Sequence, residues 1–126
     1  MTGLRQGSGP ARILVVDDDE AVCDAVCDAL TMLGYATESA HDATDALDRF
    51  RPGRYQLVVT DLAMPLINGL ELARQLRALE PELPILIFSG AVPAGPPLMA
   101  PMGITLTPKP DVDLLTRLIE RALEPS

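Results

Sequence analysis

The chain has 126 residues, 18 acidic side chains against 10 basic ones, and a formal net charge of −8. That length suits one packed core, and a hydrophobic fraction of 48% excludes a disordered polyelectrolyte. The acidic balance argues against nucleic acid as the main partner, because phosphate backbones are bound through Lys and Arg. The ten bases are nine arginines and one lysine, Lys109.

Residues 1–11, with Gly3, Gly7, Ser8, Gly9 and Pro10, read as a flexible tail. Ile13 to Val16 is a short apolar run that ends in Asp17-Asp18-Asp19-Glu20, the pattern of a strand buried on both faces that runs into a polar loop. The run is too short to span a membrane, and no secretory signal precedes it, so a reducing, cytoplasmic setting is the expectation. Val22, Val26, Ala29, Leu30 and Leu33 follow at helical spacing, with Gly34 as the C-cap. Cys23 and Cys27 lie inside this helix and read as buried thiols. A metal site built on them would need further ligands, and His41 is the one histidine in the chain.

The strand–helix unit recurs. Tyr35 to Ala40 suits an edge strand, followed by a helical stripe of Ala43, Ala46, Leu47 and Phe50 that Pro52-Gly53 closes. Leu57 to Val59 is a buried strand ending at Thr60-Asp61, and Asn68 is placed to cap a helix carrying Leu72, Ala73, Leu76 and Leu79. Ile85 to Phe88 is a fourth strand and Ile104 to Thr107 a weaker fifth. Leu114, Leu115, Leu118, Ile119 and Ala122 mark the last helix. Alternating strands and helices imply a doubly wound parallel sheet with helices on both faces. The fourth connection departs from the pattern, with prolines at 93, 96, 97 and 101. A proline inside a helix costs about 3 kcal/mol, so this helix is expected to be short or absent. Val92, Leu98, Met99 and Met102 are then expected to cover the sheet as an irregular flap.

In such a sheet, ligands bind beyond the carboxyl ends of the strands. The polar residues at those ends are Asp17 and Asp18, Asp61, Ser89 and Lys109. Three converging carboxylates call for a cation, and oxygen-only ligation with open positions suits Mg²⁺. A metal so held leaves one carboxylate free as a nucleophile toward a phosphoryl group. Each residue also has a plain explanation: helix capping for Asp17 to Glu20, a turn for Asp61 and for Ser89-Gly90, a solvated charge for Lys109. Singly, the plain readings prevail; they do not explain why four strand ends carry these groups together.

The segments Ile-Leu-Val-Val-Asp17-Asp18-Asp19, Leu-Val-Val-Thr-Asp61-Leu-Ala-Met64-Pro65 with Asn68-Gly69, Pro-Ile-Leu-Ile-Phe-Ser89-Gly90, and Lys109-Pro110 occur in this order. In them the chain resembles the receiver domain of response regulators, the CheY-like phosphoacceptor module of two-component signalling, over residues 12–124. The resemblance implies a flavodoxin-like fold with five parallel strands in the order 2-1-3-4-5. It implies that Asp61 is the phosphoacceptor, charged by a sensor histidine kinase or a histidine phosphotransfer protein. Asp18 and Asp61 would hold Mg²⁺ with the backbone carbonyl of Ala63, Asp17 would act through a water, and Ser89 and Lys109 would bind the phosphoryl group. The Lys109-Pro110 bond would be cis. Two departures stand out: the aromatic ring usual three residues before the lysine is Leu106, and the proline-rich segment replaces the fourth helix. Output to an unknown protein partner, or dimerisation, would then use a remodelled surface, with residues 91–102 ordering on phosphorylation.

Two other functions compete. A phosphorylation-independent scaffold or dimerisation module would keep the fold and lose Mg²⁺ binding. An aspartate-nucleophile phosphatase of the haloacid-dehalogenase type would need an acid two residues after Asp61, where Ala63 stands. The expectation is therefore a signalling switch with no membrane or nucleic-acid partner, one that catalyses at most its own phosphorylation and autodephosphorylation.

Overall fold

The computed structural model describes residues 10–92, 98–99 and 101–124. The tail expected over residues 1–11 lies, up to residue 9, outside the described residues, as do residues 93–97 of the proline-rich connection. The elements are β1 (Arg12–Val16), α1 (Glu20–Met32), β2 (Ala36–Ala40), α2 (Ala43–Arg49), β3 (Leu57–Thr60), α3 (Gly69–Leu79), β4 (Ile85–Ser89), β5 (Leu98–Met99), a 3₁₀ turn (Pro101–Gly103), β6 (Thr105–Pro108) and α4 (Val112–Ala122).

The sheet order is β2-β1-β3-β4-β6-β5. Its first five positions pair in parallel and reproduce the expected order, with β6 as the fifth parallel strand. The expected strand count is corrected by β5, which pairs antiparallel outside β6, Leu98 opposite Leu106 and Met99 opposite Thr105. The prolines forbid a helix, so the chain returns along the sheet edge instead. No α-helix occurs among the described residues between β4 and β6. The expected cover is only partly formed. Val92 is buried, whereas Leu98, Met99 and Met102 are 46%, 69% and 42% exposed, because a two-residue edge strand has no layer above it. Arg77 anchors the turn, donating from Nη1 to the Met102 carbonyl at 2.6 Å and from Nε to that of Leu83 at 2.6 Å.

Pleating sends alternate residues of each strand to opposite faces, and this divides the core in two. Leu14, Val16, Val58 and Ile87 pack against Ala43 and Ala46 of α2 and Leu72, Ala73 and Leu76 of α3. Ile13, Val15, Val59 and Phe88 pack against Cys23, Val26 and Leu30 of α1 and Leu115 and Ile119 of α4. Both cysteines are free, and burial pushes the Cys23 thiol up to about 12, the behaviour of an inert core residue. Leu33, expected on the buried stripe of α1, is instead the exposed C-cap, and Cys23 fills the buried position. Gly34 follows with φ +97°, its N–H donating to Thr31 and that of Tyr35 to Leu30, a Schellman closure that a residue with a Cβ would strain.

The open edge at β2 is tied down by one carboxylate. Glu38 accepts from Arg12 Nη1 at 2.8 Å, Arg54 Nη2 at 2.9 Å and the hydroxyl of buried Tyr55 at 2.6 Å. Burial alone would raise the Glu38 carboxyl, but these three donors outweigh it and hold the group below the usual value. A depressed folded-state pKa contributes stability that is present above 4.5 and lost as pH falls through the folded value. Glu38→Gln is therefore expected to destabilise the fold by about 1–2 kcal/mol at pH 7, a cost that shrinks in acid. Urea unfolding of both chains at neutral and acidic pH checks this, and an equal cost at both would contradict it.

Candidate phosphoacceptor site

The parallel ladder continues one residue beyond three of the strands. Asp17 N–H donates to Ala40 O at 3.1 Å, Asp61 N–H to Val16 O at 2.9 Å, and Lys109 N–H to Ser89 O at 3.1 Å. These bonds seat Asp17, Asp61 and Lys109 at the carboxyl ends of β1, β3 and β6, with Ser89 closing β4. The Lys109-Pro110 peptide is cis.

Lys109 Nζ lies 2.8 Å from Asp17 Oδ2 and 3.5 Å from Asp61 Oδ2, and its side chain is 19% exposed. Asp17, Asp18 and Asp61 each present a carboxylate oxygen within 4.8 Å of the others. Asp17 and Asp61 are buried and Asp18 is exposed, so the cluster is recessed and opens to water on one side. At an effective dielectric near 20, two carboxylate charges at this spacing repel by about 3–4 kcal/mol. Burial pushes the Asp17 carboxyl above its usual value and the Asp61 charge adds to the effect; Lys109 and the Asp19 N–H pull the other way. Burial would lower the Lys109 ammonium, but Asp17 and Asp61 outweigh it and raise the group above 10.5. Three carboxylates and one ammonium leave two formal negative charges uncompensated. An oxygen-only set with one water-facing member fits a hard divalent cation such as Mg²⁺.

The acidic run after β1 divides its work. Asp19 takes the capping role, accepting from Ala21 N–H at 3.0 Å and Val22 N–H at 3.4 Å. Its own N–H donates to Asp17 Oδ1 at 2.9 Å, and the Cys23 thiol donates to Asp17 O at 3.3 Å. The plain reading therefore holds for Asp19, while Asp17 and Asp18 join the cluster. That Asp19 and Cys23 orient Asp17 has no signature in the sequence beyond their placement on one helical turn.

Ser89 is buried, and its hydroxyl accepts from Ala91 N–H at 3.1 Å in a local turn. No hydrogen bond among the described residues ties it to the carboxylates. Ala63 is exposed, two residues beyond Asp61. Asn68 caps α3, accepting from Glu71 N–H at 2.9 Å, and Gly69 N–H donates to Leu62 O at 2.8 Å. A Cβ on Gly69 would stand 2.2 Å from the Asp61 carbonyl oxygen, so α3 starts directly against the backbone of the candidate acceptor.

Residues 13–94 match the family model of the response regulator receiver domain, and the chain belongs to that family. The match stops inside the proline-rich connection. The chain is 46% identical over 80 residues to the response regulator MprA of Mycobacterium sp. strain KMS, which covers 64% of this chain and 35% of that protein. It is equally similar to MprA of Mycobacterium avium strain 104 over 78 residues, 62% of this chain and 34% of the relative. The chain thus spans about a third of the length of these curated relatives. In three dimensions it is similar to the non-phosphorylated HemR receiver domain of Leptospira biflexa, with TM-score 0.77 and 28% identity over 92% of this chain and 96% of that one. The receiver domain of the hybrid histidine kinase CckA gives TM-score 0.76 and 28% identity over 90% and 100% of the two chains. The Thermotoga maritima response regulator TrrA in complex with Mg²⁺-BeF gives 0.74 and 25% over 90% and 99%. The CheY-like fold therefore extends beyond residue 94, where the match to the family model ends.

Proposed function

We propose that residues 12–124 form a phosphorylation switch in which Asp61 accepts a phosphoryl group from a histidine kinase or phosphotransfer protein. The observation that carries this reading is the position of Lys109 Nζ, in reach of both Asp17 and Asp61 in an otherwise acidic recess. An Asp61 carboxylate oxygen attacks phosphorus, the phosphorus–nitrogen bond of phosphohistidine breaks, and the leaving imidazole takes up a proton. The product is an acyl phosphate. Lys109 supplies a positive charge to the phosphoryl oxygens, and Ser89 donates its hydroxyl to them once it turns from its local contact.

Mg²⁺ would be held by Asp18, Asp61 and the Ala63 carbonyl, with Asp17 acting through a water, and supplies charge neutralisation for the incoming phosphoryl group. The similar Thermotoga receiver in complex with Mg²⁺-BeF supports this ligand chemistry. The chain turns over no external substrate in this reading; its output is protein binding. Among the described residues no helix is long and apolar enough to cross a membrane. The reading is one of a cytoplasmic protein without membrane or nucleic-acid partners.

Magnesium tests the proposal against a phosphorylation-independent scaffold, the alternative that Leu106 and the missing helix favour. At a Mg²⁺ concentration ten times its dissociation constant, the fold should gain about 1.4 kcal/mol. Thermal melts in MgCl₂ and in NaCl at matched ionic strength measure it. Asp18→Asn should remove most of the gain, and no Mg²⁺-specific shift in the unaltered chain would favour the scaffold.

A further inference from the structure

We infer that Leu66 is a contact side chain for the phosphodonor protein, an inference that rests on the phosphoacceptor reading of Asp61. Leu66 lies in the loop from Asp61 to α3. The Ile67 N–H donates to the Pro65 carbonyl at 2.8 Å across it, and its φ is +70°. A three-residue turn with a positive central φ is the rare, strained form of the γ-turn. Glycine or asparagine would occupy that conformation at lower cost.

The side chain gains nothing inside the molecule. Leu62, Met64, Ile67 and Leu70 of the same segment pack against the core. Leu66 is 93% exposed, the most exposed large hydrophobic side chain among the described residues. An isolated surface leucine needs no explanation, but one held outward by an unfavourable backbone does. Its place on the chain indicates the occupant. Asp61 is 7% exposed, so a protein that brings phosphohistidine within bonding distance must cover the rim of the recess, and the loop bearing Leu66, which starts at Asp61 and runs to α3, forms one side of that rim. An apolar pocket on the donor beside its histidine would bury the side chain and select for it.

Leu66→Gly and Leu66→Asn both relieve the turn and remove the apolar contact, while Leu66→Met keeps it. The Gly and Asn chains should melt no lower than the unaltered chain, and acetyl phosphate should label all four chains at equal rates. Phosphotransfer is then measured from a panel of purified, autophosphorylated histidine kinase cores. For the kinase fastest toward the unaltered chain, Gly and Asn should slow transfer roughly tenfold, and Met should restore most of the rate. A panel in which no kinase prefers the unaltered chain over the Leu66→Gly chain overturns the inference. So does a dimer that sediments intact for the unaltered chain and dissociates for Leu66→Gly with transfer unchanged, which would assign the contact to a second copy. Acetyl phosphate labelling no chain would instead count against Asp61 as acceptor.

Discussion

Asp61→Asn is expected to keep the fold and to lose phosphorylation completely. The amide has the shape of the carboxylate, and the backbone that positions it, an N–H donated to Val16 O and a carbonyl touching the start of α3, is unchanged. What disappears is the nucleophilic oxygen and one of the three charges of the recess. The other carboxylates do not replace it. Asp17 is occupied by Lys109 at 2.8 Å and by the Asp19 N–H at 2.9 Å, and Asp18 lies at the exposed side. Incubation with phosphoramidate and Mg²⁺ followed by intact-mass measurement should show one added phosphoryl group on the unaltered chain and none on Asp61→Asn. An equal adduct on both would assign the chemistry elsewhere.

Gly69→Ala is expected to be the most destabilising of the small substitutions near the site. The added methyl would sit 2.2 Å from the Asp61 carbonyl oxygen and 3.0 Å from the Leu62 Cα, both backbone atoms that no rotamer change can move. Overpacking of this kind costs about 1–3 kcal/mol or more, a large part of the stability of a domain this size. Relief requires α3 to back away from β3, which also displaces Asp61. Gly69→Ala should therefore melt lower and be labelled more slowly, whereas Gly90→Ala, where a Cβ meets nothing within 4 Å, should do neither. Equal melting of the Gly69→Ala and unaltered chains would show that the approach is looser than described.

The order of the five parallel strands was legible through the resemblance to receiver domains, and the gathering of Asp17, Asp18, Asp61 and Lys109 at one rim through local signals. Those signals are apolar runs ended by polar residues, helical stripes, and caps such as Asn68 and Gly34. The parts that were not legible depend on contacts between distant residues or on very short elements. A two-residue strand at Leu98–Met99 has no periodicity to detect, and it became visible only through its pairing with Leu106 and Thr105. The clamp of Arg12, Arg54 and Tyr55 on Glu38 joins three elements with no common motif. Gly69 stands in the sequence only as part of the Asn68-Gly69 pair after Asp61, and the reason for a glycine there, its distance to the Asp61 carbonyl, is purely tertiary. The left-handed turn at Leu66 is hidden for the opposite reason, since leucine is a poor marker for that conformation.

In the proposed switch, Leu106 at the position of the usual aromatic and the absence of a fourth helix among the described residues between β4 and β6 change what phosphorylation would move. Leu106 is half-buried against the core beside Ile87 and pairs with Leu98 of the edge strand. Ser89 itself pairs with Pro108 of β6, the strand that carries β5 on its outer side, so Ser89 is joined to the β5–β6 edge through the sheet.

The chemistry at Asp61 is the claim on which the rest depends, and borohydride reduction tests it most directly. An acyl phosphate on an aspartate is reduced to homoserine, whereas an unmodified carboxylate is not. After phosphoramidate and Mg²⁺ treatment, peptide mapping should find homoserine at position 61 and nowhere else. A phosphorylated chain with its label at any other residue, or a chain that acquires none, would contradict the account.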